Sequence, residues 1–501
     1  MKRVLIANRG EIALRIIRTL RRLGLEAVIA ASDDDLTSPA ARAADRVVRL
    51  GAGDLSSTYL NIERLVELAR ESACDAVHPG YGFLSENPTF AQAVREAGLT
   101  FIGPNPEALR LSGSKTESRR AMRQAGVPVI PGFHPAEGES EQEICERASE
   151  LGFPVLIKAV AGGGGKGMRA VYSEEELPEA LAGARREAEN AFGDPRIYLE
   201  KLITSPRHIE VQVVADEHGN LFVLGERECS IQRRHQKIVE ESPSPLLTHF
   251  MREKLFTYAL SGMRAIGYTN AGTVEFLYSP QEDEFYFLEI NARLQVEHPV
   301  TELVSGLDLV ELQIRVARGE KLSLPPWQPR GHAIEARLYA EDPASGFLPS
   351  PGKLSACRFP HHPQVRIDTG VEEGSQISPL YDPLIAKLIA HGEDRPSTIA
   401  ALRQALRETV VLGVTTNRSF LIDLLAHPDF VAGHLSVDFI ERHKLRERAA
   451  EQDVPPEMLA ILAAAINSSL EEEEPAIPKG EMMPERATIA DPWRELRGWR
   501  G

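Results

Sequence analysis

The sequence predicts a multidomain α/β protein whose first domain opens on a parallel sheet. Three observations carry that expectation. The chain begins strand, turn, helix, strand; five glycines sit between two short strands near residue 162; and a pair of strands, Thr273 to Tyr278 and Phe285 to Asn291, runs on into an alternation of polar and apolar residues from 289 to 297. At roughly 150 residues per domain, 501 residues also exceed one small module and make three to four domains the prior.

In the opening, Val4 to Ala7 is a short apolar run, Ile12, Ile16, Leu20 and Leu23 recur at helical spacing, and Ala27 to Ala30 is apolar again. A helix between two strands favours a parallel pairing, because such a crossover is what joins parallel neighbours. The first turn, Asn8-Arg9-Gly10-Glu11, lacks the GxGxxG that brings a pyrophosphate to a helix N-terminus, which disfavours a nicotinamide dehydrogenase. A third unit ends in His78-Pro79-Gly80-Tyr81-Gly82, and a helix-rich stretch begins at Lys115. A β-rich block then runs from about Tyr198 to Glu297, and a mixed region spans Gly331 to about 445. Composition changes after about 446: Pro455 and Pro456 precede a helical face of Leu459, Leu462 and Ile466, followed by Glu471 to Glu474, more prolines, Trp493 and Trp499. This tail, helical then disordered, reads as a tethered docking segment, or else as a C-terminal helix packed on its own chain.

Hydrophobic residues at 43% and charged residues at 26% are the mix of a soluble globular protein. Lys plus Arg is 57 and Asp plus Glu is 73, a net charge of −16 that excludes wrapping a nucleic acid and demands a local basic cluster for any anionic ligand. Cys74, Cys145, Cys229 and Cys357 lie far apart with no CxxC pair, which fits a reducing cytoplasm and suggests neither disulfides nor a zinc site. Met458 to Ile466, the longest apolar run, is far below the roughly 18 residues of a membrane span, so no membrane partner is expected.

Gly162, Gly163, Gly164, Gly165, Lys166, Gly167 and Met168 follow the apolar strand Val155 to Val160 and precede a strand from Met168 to Tyr172. Glycine costs backbone entropy and adds no packing, so this segment reads as a β-loop-β flap that bends freely and offers bare N–H groups to a triphosphate. It is not a P-loop, because Gly167 follows Lys166 where Ser or Thr would stand. A plain flexible hairpin is the competing reading. Lys158, on the strand entering the loop, points toward the same anion, with Lys115 and Lys201 as further cations. The run Arg233-Arg234-His235-Gln236-Lys237 concentrates positive charge in an acidic chain and calls for a phosphate or carboxylate counterpart, with Glu240 and Glu241 as the structural alternative.

Thr273 to Tyr278 and Phe285 to Asn291 form a strand pair around a polar turn. Glu275, Glu289 and Asn291 are hard oxygen donors suited to Mg²⁺ bound jointly with nucleotide phosphates, the alternative being a salt bridge to Lys or Arg. The alternation continues through Arg293, Gln295 and Glu297. On a straight strand Glu289 and Glu297 would lie roughly 26 Å apart at about 3.3 Å per residue, so the chain is expected to bend after Asn291. Arg293 would then clamp a small oxyanion and Glu297 remove its proton.

Four separated stretches together resemble biotin carboxylase, the ATP-grasp component of acetyl-CoA carboxylase and related biotin-dependent carboxylases. They are Ile6-Ala7-Asn8-Arg9-Gly10-Glu11-Ile12-Ala13, the run from His78 to Asn87, the run from Gln232 to Lys237, and the run from Asn291 to Pro299. The resemblance covers about residues 1–445. It implies a Rossmann-like N-terminal domain (1–114), an ATP-grasp domain (115–330) with a mobile Gly-rich lid at about 130–203, a mixed C-terminal carboxylase domain (331–446) and an extension (447–501). It implies that Lys115, Lys158, the 162–168 loop, Glu200, Lys201, Ile203, His208, Gln232, His235, Glu275 and Glu289 surround ATP. It implies further that Glu275, Glu289 and Asn291 hold Mg²⁺ or Mn²⁺, in two sites, and that Lys237, Arg293, Gln295, Val296 and Glu297 contact bicarbonate. Glu297 would be the base and Arg337 would steady the enolate of the biotin ureido ring, with Tyr81 and Gly82 near biotin.

Lys166 stands where many relatives have arginine, and Arg18 and Arg22 are both basic where dimeric relatives pair opposite charges, which leaves homodimer formation open. No Ala-Met-Lys-Met biotinylation site occurs, so biotin is expected on a separate biotin carboxyl carrier protein, and a separate carboxyltransferase is a further expected partner. Two other readings compete: ATP-grasp chemistry on another acceptor, as in carbamoyl phosphate synthesis, and a catalytically silent nucleotide-binding scaffold.

Overall fold

The computed structural model describes residues 1–136, 139–160 and 168–445, apart from the side chains of 191 and 192. The 162–167 loop, with Lys166, and the 447–501 extension therefore lie outside the described residues.

The opening folds as its periodicity predicts. Strands β1 (Arg3–Ile6), β2 (Glu26–Ser32), β3 (Arg46–Gly51), β4 (Ala76–His78) and β5 (Thr100–Phe101) form a parallel sheet in the order β3-β2-β1-β4-β5. The first helix, Gly10–Arg22, buries Ile12, Ala13, Ile16, Ile17 and Leu20, one apolar stripe against the sheet, each large aliphatic contributing about 1.5–3 kcal/mol relative to exposure. At the carboxyl edge of that sheet the Asn8 amide donates to the carbonyls of Pro79 (2.8 Å) and Tyr81 (2.7 Å), tying the turns after β1 and β4 together. Such an edge is where open parallel sheets place ligand-binding loops.

A four-stranded antiparallel sheet follows: β6 (Gly132–Phe133), β7 (Val155–Ala159), β8 (Met168–Val171) and β9 (Ile197–Lys201), in the order β6-β9-β7-β8. Helices Glu141–Leu151 and Leu177–Phe192 cover it, the first begun by a capping box between Ser140 and Glu143. β7 and β8 are the two strands that flank the glycine segment.

The largest sheet has eight antiparallel strands. It contains β10 (Arg207–Ala215), β11 (Leu221–Arg233), β12 (Gln236–Ser242), β13 (Asn270–Ser279), β14 (Glu284–Asn291) and β15 (His332–Tyr339), with the later strands Val365–Thr369 and Leu384–Gly392. Its order is β14-β13-β10-β11-β12-β15, then Leu384–Gly392, then Val365–Thr369. The β-rich block is interrupted by a 17-residue helix, His249–Ala265, that the alternation did not reveal. Arg234 and His235 join β11 to β12 in a two-residue turn with φ of 47° and 65°, type I′ geometry built from two residues that rarely adopt it.

Candidate active site

β14 ends at Asn291 and the chain turns into helix His298–Ser305, so the expected bend is present. Arg293 folds back to donate to Asn291 Oδ1 (3.0 Å) and Gln295 Oε1 (2.9 Å), while its Nε meets Glu86 (2.8 Å). The same bend delivers Glu297, fully buried, to two cations on the large sheet. Lys237 Nζ lies 2.6 Å from Glu297 Oε1, and Arg337 lies 2.9 Å from Glu297 Oε2.

Lys237 is the hub. Its ammonium also reaches Glu210 (2.5 Å) and Glu275 (2.8 Å). Burial alone would push this amine down, but the three carboxylates outweigh it and hold Lys237 well above the usual lysine value. Burial would likewise raise Glu297, yet Lys237, Arg337 and Arg227 hold it well below the usual carboxylate range. Arg337 sits on β15 between β12 and Leu384–Gly392, in the sheet interior, and its Nε meets Glu240 at 2.6 Å. Burial, with Glu297 nearby, pushes Glu240 up to about 7 in spite of Arg337.

Glu275 and Glu289 face each other directly across β13 and β14. Like charges so placed destabilise a sheet unless a cation lies between them. Glu275 is compensated by Lys237, by His208 Nε2 (2.9 Å) and by the Asn291 amide (2.8 Å), so a salt bridge serves this residue. Glu289 has no ion-pair partner among the described residues, and burial and Glu275 raise its carboxyl. Two carboxylates and the Asn291 amide oxygen are hard donors, so this set fits Mg²⁺ or Mn²⁺.

A second group of predicted residues lines a cavity of about 490 Å³, within the usual range for a small-molecule site. Ile203, Gln232 and His235 form one wall with Tyr172 and Leu202, while Val437, Asp438 and Glu441 come from the far end of the described chain. The Val437 N–H donates to Pro206 C=O (2.9 Å) and Ser205 Oγ to Asp438 (2.8 Å), fixing that closure. Lys158 pairs with Glu200, which Arg119 also approaches at 3.4 Å. Lys115 begins helix Lys115–Gln124 and is exposed, and Met168, also exposed, begins β8. Lys201 turns away, its ammonium donating to the carbonyls of Gly152 (2.8 Å) and Phe153 (3.2 Å).

Tyr81 hydrogen-bonds Glu11, and Lys387 joins Glu11 (3.0 Å) to the Val296 carbonyl (2.8 Å), so Tyr81 connects to the Glu297 turn. Gly82 adopts a φ of 66° beside it, a left-handed conformation that suits glycine. Sequence reasoning missed Glu210, Arg227, Lys387 and Val437. Glu210 and Gln212 alternate with Ile209, Val211 and Val213, a signal for a two-faced strand that does not say that the polar face is buried. A larger cavity, about 680 Å³, lies beside the first helix, but Arg15, Arg18, Arg22 and Arg366 there already pair with Glu302, Asp308, Glu311 and Asp368.

Three family models match in succession: "Biotin carboxylase, N-terminal domain" over residues 1–109, "Carbamoyl-phosphate synthase L chain, ATP binding domain" over 114–324, and "Biotin carboxylase C-terminal domain" over 335–442. The chain is 48% identical over 443 residues to biotin carboxylase 2 of Bacillus subtilis, covering 88% of this chain and 99% of that protein. It belongs to the biotin carboxylase family. A pyruvate carboxylase subunit of Methanothermobacter thermautotrophicus is 44% identical, with 93% and 98% covered. Of the mitochondrial methylcrotonoyl-CoA carboxylase alpha subunit of Arabidopsis thaliana, 48% identical, this biotin carboxylase homologue spans only 61%. Among solved structures, the biotin carboxylase domain dimer of Hydrogenobacter thermophilus 2-oxoglutarate carboxylase, with MgADP, ADP and bicarbonate, superposes with a TM-score of 0.82 at 42% identity, covering 89% of this chain and 98% of that one. The family is a carboxylating, ligase-type ATP-grasp family, and among the described residues no helix is long and apolar enough to cross a membrane.

Proposed function

We propose that this chain phosphorylates bicarbonate with ATP and transfers the resulting carboxyl group to biotin on a separate carrier protein. The observation that carries the reading is Glu297, its two oxygens held by Lys237 (2.6 Å) and Arg337 (2.9 Å), beside the Arg293 guanidinium. In this state Glu297 is a weak base, because two cations stabilise its charge. Bicarbonate would take Lys237 and Arg293 as its own counter-cations and so raise the basicity of Glu297. The proton of its O–H bond passes to Glu297 while its oxygen attacks the γ-phosphorus and the bond to ADP breaks. Carboxyphosphate then splits into CO₂ and phosphate, phosphate takes the ureido N–H proton, and the ureido nitrogen attacks CO₂ while Arg337 steadies the negative ureido oxygen.

ATP would occupy the Ile203, Gln232, His235 and Val437 cavity, with Lys158 and the glycine loop toward its phosphates. A divalent ion held by Glu275, Glu289 and Asn291 would offset phosphate charge. Tyr81 and Gly82 would border biotin. Near-complete matches to a stand-alone biotin carboxylase and to one subunit of a pyruvate carboxylase support placing carrier and transferase on other chains. The relatives' names span acyl-CoA and keto-acid carboxylases, and copurification of the native assembly would identify the final acceptor. A homodimer, as in the Hydrogenobacter domain, is part of this reading and is checked by light scattering.

ADP release that requires both bicarbonate and free biotin is expected. Release without biotin would favour the carbamoyl phosphate type of chemistry, and no release a silent scaffold. Glu297→Gln should retain ATP binding and lose turnover by about 100-fold or more, the usual span of general-base catalysis. Undiminished turnover in that variant would remove Glu297 as the base.

A further inference from the structure

Away from the Lys237 centre, the described residues hold one other close group of metal-ligating side chains, His427, Asp429 and His443, whose donor atoms all lie within 4.8 Å of one another. His427 precedes the short helix Pro428–Val431, and His443 follows Phe439–Arg442, so two helix ends bring the imidazoles together. Their ring centroids are 4.2 Å apart, Asp429 lies 3.3 Å from His443 Nε2, and His434 Nδ1 approaches Asp429 at 3.4 Å from the surface side. Phe439 packs against both rings, at 5.4 and 4.5 Å, and gives the group an apolar backing.

Two imidazoles and a carboxylate are a borderline donor set, suited to zinc-class ions and unlike the all-oxygen set of Glu275, Glu289 and Asn291. Tetrahedral ligands about 2.0–2.2 Å from an ion stand somewhat over 3 Å from one another, so side-chain rotations of about 1 Å would close this group on a metal. Such a rotation would disturb the Asp429 N–H bond to His427 Nδ1, which is long at 3.3 Å. Half-buried positions leave an entry path.

We propose that His427, Asp429 and His443, with His434 as a fourth donor, bind one divalent transition-metal ion of the zinc class. Val437, Asp438 and Glu441 lie between the ligands in sequence and line the 490 Å³ cavity. An ion joining residues 427 and 443 closes that segment into a loop and limits its freedom, so it would hold the far wall of the cavity in place. That second part rests on the cavity being the ATP site, as argued above; the metal site does not.

The test uses the full chain, stripped of metal and kept in excess Mg²⁺ to fill oxygen sites, titrated with Co²⁺. One equivalent should give the intense visible absorption of tetrahedral Co²⁺, displaced by Zn²⁺. Asp429→Asn and His443→Gln should each weaken Co²⁺ binding about 10- to 100-fold while melting as the metal-free wild type does, and Zn²⁺ should raise the melting temperature of the wild type only. Absence of that absorption, or its persistence in both variants, would overturn the site. With the site established, Zn²⁺ should tighten ATP binding in the wild type and not in His443→Gln; an ATP affinity indifferent to Zn²⁺ would overturn the coupling alone.

Discussion

Arg227 is wholly buried, pairs with Glu210, and donates to Gln212 (2.8 Å), Thr301 (2.9 Å) and Thr273 (3.1 Å). It therefore supports Glu210, which in turn holds Lys237. Removing Arg227 leaves buried Glu210 with Lys237 alone, a cation it shares with Glu275 and Glu297, so Arg227→Met should lower stability by about 3–5 kcal/mol, read from urea denaturation. Glu335 poses the opposite case. Among the described residues neither of its buried oxygens has a hydrogen-bond partner, and burial, with Glu240 adding to it, raises its carboxyl well above the ordinary 4.5. Below that value the carboxyl is protonated in folded and unfolded chains alike and contributes nothing to pH dependence. Above it the unfolded chain ionises first, so Glu335 costs stability increasingly as pH rises toward its folded pKa. Glu335→Gln removes that cost, and its stability advantage should grow as pH rises above about 4.5. An advantage that stayed constant across those denaturation curves would mean that Glu335 is ionised in the native protein.

Among the elements, the junction between the first helix and the loop after Val365–Thr369 is a close backbone fit beside Glu11. A Cβ on Gly370 would stand 2.4 Å from Glu11 N and from Gly10 C, backbone atoms that cannot rotate aside. Gly370→Ala should therefore cost about 1–3 kcal/mol and displace Glu11 from Lys387 and Tyr81. Gly113, at a helix end with open space around it, is the control, and Gly113→Ala should melt no lower than the wild type. The first helix was legible from its one apolar stripe, β1 and β2 as short apolar runs, and β13 and β14 as two strands around a polar turn. Helix His249–Ala265 escaped because it buries only Leu255, Ala259, Gly262 and Met263, a narrow stripe blurred by its other apolar side chains Phe250, Phe256 and Tyr258. Sheet order escaped too: β15 lies beside β12, so Arg337 meets Glu240 across 97 residues of sequence, a pairing that no local pattern encodes.

Across the whole molecule, a net charge of −16 coexists with a centre that gathers Lys237, Arg227, Arg293 and Arg337 around carboxylates. Attraction for anionic substrates is thus local, and the motif residues that create it were legible because charged side chains flanked by apolar strand residues are costly without a purpose. The cavity wall was not. Val437 is an unremarked aliphatic residue, and only tertiary closure brings it into the cavity that Ile203 and Gln232 line. A residue that touches the nucleotide but not the reacting atoms contributes equally to ground and transition states, so its loss should appear in KM and leave kcat nearly intact. Val437→Asp adds a further carboxylate beside Asp438 and Glu441 and removes an apolar contact, and the cost, on the order of 1–3 kcal/mol, should raise the KM for ATP about 10- to 100-fold. Glu297→Gln should show the reverse, a fallen kcat with ATP binding preserved. Measuring ADP release over ATP concentration in both variants, with bicarbonate and biotin saturating, separates the two roles, and a fall in kcat at unchanged KM for Val437→Asp would take Val437 out of the nucleotide wall.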